Sequence, residues 1–328
     1  MSNPVFHALV PVVLLIFVGY LAGRLRWIAG PSVRDLSNVV FLVLAPALLF
    51  RTMSGVHLQA LDFRPVVIYM AAMGVVFLLV MLKAGFNRRA AVMGLASTFS
   101  DTLMIGVPLI GLAFGEAGLV TLFALISVHA FIMLTLVTVV LEFVVVSEEN
   151  RALAAQGERP SKAVRIQRMA LTVFKAARGS VLHPVPLPII CGLLYAQTGW
   201  SLPDVIDKPL QLLGNAFASM ALVLVGITLA ANPLGRQIKP ALLLVLMKNL
   251  VHPAVLVALG LALGLSGLSF EVMVVVASLP IGANVYLFAL RYQVAEQEVT
   301  AAVALSTILG LLTMALVMGL VHYLPGVA

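Results

Sequence analysis

The sequence predicts an all-α polytopic membrane protein with ten transmembrane helices, built as two inverted five-helix repeats with broken crossing helices 4 and 9. Three observations predict it. The 328 residues are 62% hydrophobic and 10% charged, with a mean hydropathy of +1.12, and the apolar runs reach the ~20 residues that a bilayer requires. The cations crowd into every second connection between those runs. Landmarks of the first half recur in the second at a nearly constant offset.

Span 1 covers about Val5 to Gly23 and closes on Arg24, Leu25, Arg26 and Trp27, a cationic and aromatic edge suited to a headgroup boundary. No Lys or Arg precedes it, so it reads as a retained span and not as a cleaved leader. Span 2 runs from about Asp35 to Met53 around Pro46, and span 3 from about Pro65 to Ala84. After Asn87, Arg88 and Arg89, span 4 occupies about Ala91 to Phe114; a link with Gly115, Glu116 and Gly118 leads to span 5, which ends near Val146. Ser147 to Arg178 is the only long polar stretch. It reads as a solvated connector, although Lys162 to Arg178 could also form a basic interfacial helix attracted to anionic lipid. Spans 6 to 10 follow at about Val181–Thr198, Pro209–Ala231, Pro240–Leu265, Phe270–Leu290 and Glu298–Leu320. The expected organisation is a first repeat over 1–146, a cytoplasmic basic loop over 147–178 and a second, inverted repeat over 179–328.

Of the twenty Lys and Arg, sixteen fall in the connections after spans 1, 3, 5, 7 and 9, and three (Arg51, Arg64, Lys208) on the opposite side. The positive-inside rule then puts the odd-numbered connections in the cytoplasm of a cell (inner) membrane and both termini outside. Only Lys248 lies within a span. The net charge of +7, which in a soluble chain would raise nucleic acid as a partner, is here a matter of orientation, and no nucleic acid is expected. A single cysteine, Cys191, allows no internal disulfide.

Gly19–Trp27 lies against Gly192–Trp200, Arg64-Pro65 against Lys239-Pro240, and Pro108 against Pro280. Because each half holds an odd number of spans, the second must enter the membrane from the opposite side, which makes the duplication an inverted repeat and brings spans 4 and 9 together near the midplane.

Both of those spans are interrupted. Span 4 carries Ser97, Ser100, Asp101 and Thr102 ahead of Gly106 and Pro108; span 9 carries Pro280, Gly282, Asn284 and Tyr286. Irregular backbone at membrane depth survives where it lines a cavity, and the freed amides of a half-helix N-terminus can hold an anion while unwound carbonyls can hold a cation. The blander reading of the prolines is an ordinary kink, which suits Pro11, Pro46 and Pro253. A carboxylate within a span costs about 2.5–3.5 kcal/mol on insertion scales, so Asp101 reads either as one half of a structural ion pair with Lys248 or as a carrier of a proton or coupling cation. Lys248 in turn could attract an anionic substrate. His129 and His252, in apolar spans, are candidates for a proton relay, against the commoner role of a packed, hydrogen-bonded histidine. No phosphate loop, metal-ligand cluster or nucleophile with a base stands at motif spacing, so neither an enzyme nor a cofactor is expected.

With these residues in view, the chain resembles the auxin efflux carrier family, including bacterial members called malonate transporters. The resemblance rests on Gly19–Gly23, Leu44–Phe50, Gly106–Leu109, Gly226–Ala230, His252-Pro253, Pro280–Asn284 and Ala289–Tyr292 taken in order over the whole length. It implies a scaffold of spans 1, 2, 6 and 7, a transport unit carrying helices 4 and 9, a small organic anion as substrate and a homodimer. Two departures matter. Asp101 stands where the family commonly has Asn, which favours coupling to H⁺ or Na⁺ or a different substrate, and Ser219-Met220 stand where a proline is frequent. Rival readings are a cation/proton antiporter on the same scaffold and a membrane receptor using the 147–178 loop.

Overall fold

In a computed structural model of the chain, the described residues are 4–28, 30–56, 62–155, 170–171, 174, 184–231 and 237–324. They are helical, and their one β-type pairing is an isolated antiparallel bridge between Ser100 and Ile281. The helices in order are α1 (Pro4–Arg24), α2 (Gly30–Val39), α3 (Ala45–Ser54), α4 (Arg64–Ala84), α5 (Arg88–Ala96), α6 (Val107–Ala155), α7 (Pro186–Ala196), α8 (Asp204–Ala231), α9 (Ile238–Leu246), α10 (His252–Ala262), α11 (Gly267–Ser278), α12 (Asn284–Tyr292) and α13 (Glu296–Val321).

Three short π-helical turns, Val40–Leu44, Thr102–Gly106 and Met247–Val251, join α2 to α3, lead into α6 and join α9 to α10. Each is followed two residues later by a proline: Pro46, Pro108 and Pro253. Proline has no N–H to donate and its ring presses on the carbonyl four residues back. One widened turn absorbs both defects without ending the span.

Among the described residues, seven helical stretches are long and apolar enough to cross a membrane, and three shorter apolar pieces, Leu136–Ser147, Pro186–Ala196 and Gly267–Ser278, stand where spans 5, 6 and 9 were expected. Three of the ten expected spans therefore fall short of a membrane-crossing length among the described residues. Span 9 is split into α11 and α12, the start expected for span 6 lies outside the described residues, and the helix of span 5 is only partly described at the side-chain level. Gly115, with φ 62° and ψ −154°, breaks α6 between spans 4 and 5, at the link read from the sequence. The helix then continues to Ala155, beyond the expected end near Val146; the basic stretch Lys162–Arg178 lies almost wholly outside the described residues.

Large apolar side chains such as Phe17, Leu42, Val67, Leu78 and Leu312 are exposed on the outer face, as expected where lipid tails take the place of water. Inside, α1 packs most closely on α8, and α3 on α7 and α8. A Cβ on Gly19 would lie 2.0 Å from the Val223 carbonyl oxygen, and one on Gly226 2.0 Å from that of Ile16, so this contact brings backbone against backbone through small residues. Arg51 of α3 clamps Asp207 of α8 with two hydrogen bonds, of 2.7 and 3.1 Å. A second group forms around α4, α5, α9, α10, α11 and α13.

Candidate functional site

The interruption of span 4 falls at Ser97–Asp101, upstream of the Gly106 and Pro108 expected from the sequence. Local chemistry explains the shift. Ser97 and Thr98 turn their hydroxyls back onto the carbonyls of Met93 and Gly94, both at 2.9 Å, and so bring α5 to a close. Asp101 leaves the helical region (φ −76°, ψ 69°) and its carboxylate accepts from the Met104 amide at 3.1 Å, capping the π turn that restarts the helix. Gly106 closes that turn by donating its N–H to the Asp101 carbonyl at 3.0 Å, and Pro108 sits within α6, its defect already absorbed.

In span 9 the break coincides with the expected residues. Leu279 precedes Pro280 and is forced out of the helical region, to φ −59° and ψ 153°. The two frayed segments then satisfy each other: the Asp101 amide donates to the Pro280 carbonyl at 2.9 Å and the Gly282 amide to the Phe99 carbonyl at 3.0 Å. These groups have no helix partner, and in hydrocarbon no water would replace one. Gly282 is required for the approach, because a Cβ there would lie 2.8 Å from the Phe99 ring and 3.3 Å from the Ser100 carbonyl oxygen.

Side chains from α4 and α13 support the crossing. The Tyr69 hydroxyl donates to Ser100 Oγ at 2.9 Å, and Ser100 Oγ donates to the Val276 carbonyl at 2.8 Å. Ser306 Oγ accepts from the Ile281 amide at 3.0 Å. Neither Tyr69 nor Ser306 was singled out in the sequence; a polar group alone in an apolar span was the one available signal.

A cavity of about 250 Å³ opens beside the crossing. Ser100, Asp101, Thr102, His129, Gly282 and Asn284 line it, with Phe99 and Phe41 among its apolar walls. Asp101 is half-buried and Asn284, the first residue of α12, is exposed toward this space. His129 is 1% exposed, its ring centroid lies 4.8 Å from that of Phe99, and neither ring nitrogen has a hydrogen-bond partner among the described residues. The remaining expected residues stand elsewhere. Gly106 packs against the Leu279 side chain and Pro280 against Gly310 of α13. Tyr286 is 38% exposed and does not line the cavity, and neither does His252, which is buried with the Tyr69 ring 5.3 Å away. Lys248 is fully buried and is not ion-paired with Asp101; it donates to the Ala277 and Leu279 carbonyls at 2.6 and 2.7 Å. Among the described residues, no ion pair joins Lys248 to Asp101.

An apolar helical bundle crossed by two interrupted helices beside a mostly apolar cavity that carries a few polar groups defines the class, a multi-pass membrane protein with a small site beside the crossing. A family model described as membrane transport protein matches residues 4–318. The chain belongs to that family, the auxin efflux carriers. It is 27% identical over 309 residues to a protein of Rhizobium meliloti (strain 1021) named "Putative malonate transporter", covering 91% of this chain and 90% of the relative. It is 22% identical over 249 residues to auxin efflux carrier component 8 of Arabidopsis thaliana, covering 66% and 67% of the two chains. It is 31% identical over 170 residues to a protein of Oryza sativa subsp. japonica named "Probable auxin efflux carrier component 1b", covering 50% and 29%. The protein is therefore a multi-pass membrane transporter, of a family that moves small molecules and is not enzymatic.

Proposed function

We propose that the protein is a secondary active transporter of a small carboxylate such as malonate or an auxin-like acid, bound in the cavity beside the crossing. The observation that carries this reading is the convergence on one cavity of Ala283 and Asn284, at the start of α12, and of His129, whose ring nitrogens have no partner among the described residues. These are donors suited to a carboxylate, and a half-helix N-terminus adds its positive dipole end. A volume of about 250 Å³ is below the roughly 300–1,000 Å³ of pockets for drug-sized ligands, which favours an acid of a few carbons. The names of the relatives point the same way.

Asp101 in the same cavity would repel a lone anion, so the substrate enters with a H⁺ or Na⁺ that neutralises this carboxylate. His129 is the residue best placed to pass a proton to it; His252 lies beyond the Tyr69 ring and would take part only through it. The antiparallel sense of the Ser100–Ile281 bridge supports two inverted five-helix repeats, ten spans in all, over 1–146 and 179–328 with a cytoplasmic loop between them. The close packing of α1, α3, α7 and α8 supports a scaffold of spans 1, 2, 6 and 7 against which the crossing unit moves in an elevator or rocking step, within a homodimer. With Cys191 replaced by Ser, a membrane-impermeant maleimide should label Trp200→Cys in intact cells and Trp27→Cys only after permeabilisation; the reverse pattern would invert the orientation.

The transport reading is tested by uptake of labelled malonate into proteoliposomes under imposed pH and Na⁺ gradients. Asn284→Ala should reduce uptake at least about tenfold, the loss of a buried charge-assisted hydrogen bond, and Asp101→Asn should abolish gradient-driven accumulation, with both variants monodisperse. Wild-type accumulation by either variant would remove its residue from the site. Exchange of Na⁺ for H⁺ with no organic solute present would instead favour the cation/proton antiporter.

A further inference from the structure

Helix α11 ends at Ser278, fully buried inside the bundle, where the last carbonyls of a helix have no partner of their own. Almost all are accounted for. Val275 accepts from the Ser278 hydroxyl, Val276 from the Ser100 hydroxyl and the Leu279 amide, and Pro280 from the Asp101 amide. The carbonyls of Ala277 and Leu279 are taken by one group, the Nζ of Lys248, at 2.6 and 2.7 Å. Its side chain is 0% exposed and no carboxylate stands within 4.0 Å of it among the described residues. A buried ammonium without an acid partner is sustained only if oxygens replace its hydration shell. Carbonyls at the broken end of a helix, the negative end of its dipole, are also the groups that strip and hold a coupling cation in transporters with interrupted helices.

We infer that the Lys248 ammonium is a built-in cation: it occupies, between the carbonyls of Ala277 and Leu279, a position that would otherwise bind a monovalent metal ion. The other interrupted helix needs no such charge, because α5 ends on the neutral hydroxyls of Ser97 and Thr98. The π turn Met247–Val251 fixes where the lysine starts. From it Lys248 reaches α11, while its neighbour Asn249 donates to the Ser306 carbonyl at 3.3 Å. This carbonyl pair is consequently closed to Na⁺ in the native protein, whatever the substrate of the cavity, so the inference stands apart from the transport reading.

The test is thermal unfolding of the purified full chain in choline, sodium and methylammonium chloride at equal ionic strength. Wild type should unfold at the same temperature in choline and methylammonium, and its own shift in sodium is the baseline against which the variants' sodium shifts are read. Lys248→Ala should unfold well below wild type in choline and recover at least half of that loss in sodium or methylammonium, while Lys248→Met, which fills the space without charge, should remain low in choline. A Lys248→Met protein as stable as wild type in choline, or a Lys248→Ala protein that neither ion restores, would overturn the inference. If Lys248→Ala yields no folded protein in choline, extraction in methylammonium decides: folded protein recovered there supports the built-in cation, and none recovered overturns it.

Discussion

Asp101 does two separable things in this chain. Its carboxylate oxygen accepts from the Met104 amide and restarts span 4 after the break, and its charge faces the cavity shared with Asn284 and His129. Asparagine keeps an oxygen in the same place and loses only the charge. Asp101→Asn should therefore unfold within a fraction of a kcal/mol of wild type, whereas Asp101→Ala, which removes the cap, should be less stable by about 1 kcal/mol. Chemical or thermal unfolding of the pair checks this, and equal losses in both variants would mean that the charge, not the cap, holds the crossing. The carboxylate was conspicuous in the sequence because apolar spans rarely contain one. Its cap to Met104 was hidden, since it depends on where the helix stops, and the serine and threonine hydroxyls that stop it act through back-bonding that leaves no period in the hydropathy.

Among the elements, seven of the expected spans were legible because about twenty apolar residues in a row admit one explanation. The position of the first break was not. Proline drew attention to residue 108, yet the π turn Thr102–Gly106 takes up the defect and the helix continues through it, as it does after Val40–Leu44 and Met247–Val251. In span 9 the expected proline does mark the break, because its ring forces the preceding Leu279 out of the helical region where α11 ends. Gly19 and Gly226 stood in the sequence only among the residues that carry the family resemblance; the structure adds that they set the closeness of α1 to α8. Gly226→Ala would push a methyl to 2.0 Å from the Ile16 carbonyl oxygen. Backbone cannot swing aside as a side chain can, so the cost should reach the upper part of the ~1–3 kcal/mol typical of overpacking. A thermal melt of Gly226→Ala indistinguishable from wild type would show that α1 and α8 are free to separate.

At the scale of the whole molecule, two packed groups meet along the crossing: one holds α1, α3, α7 and α8 in close contact, and the other carries the interrupted helices with α4, α9, α10 and α13. The break in each crossing helix is satisfied by the other and by neighbours of its own group, through Tyr69, Lys248 and Ser306. These bonds tie the crossing to the helices of its own group, while Phe41, Pro184 and Val185 bring the other group to the cavity wall. The apolar composition made a multi-pass membrane protein readable from the chain alone. The cavity was not, because His129 and Asn284 come from different halves and only the fold brings them together there.

The most direct measurement is a cryo-electron microscopy map of the full-length protein in lipid nanodiscs saturated with malonate. The account predicts density for the acid in the cavity beside the Ser100–Ile281 bridge, with one carboxylate against Asn284 and the start of α12 and within reach of His129. Density for the acid at another place, with this cavity unchanged from the ligand-free protein, would contradict it.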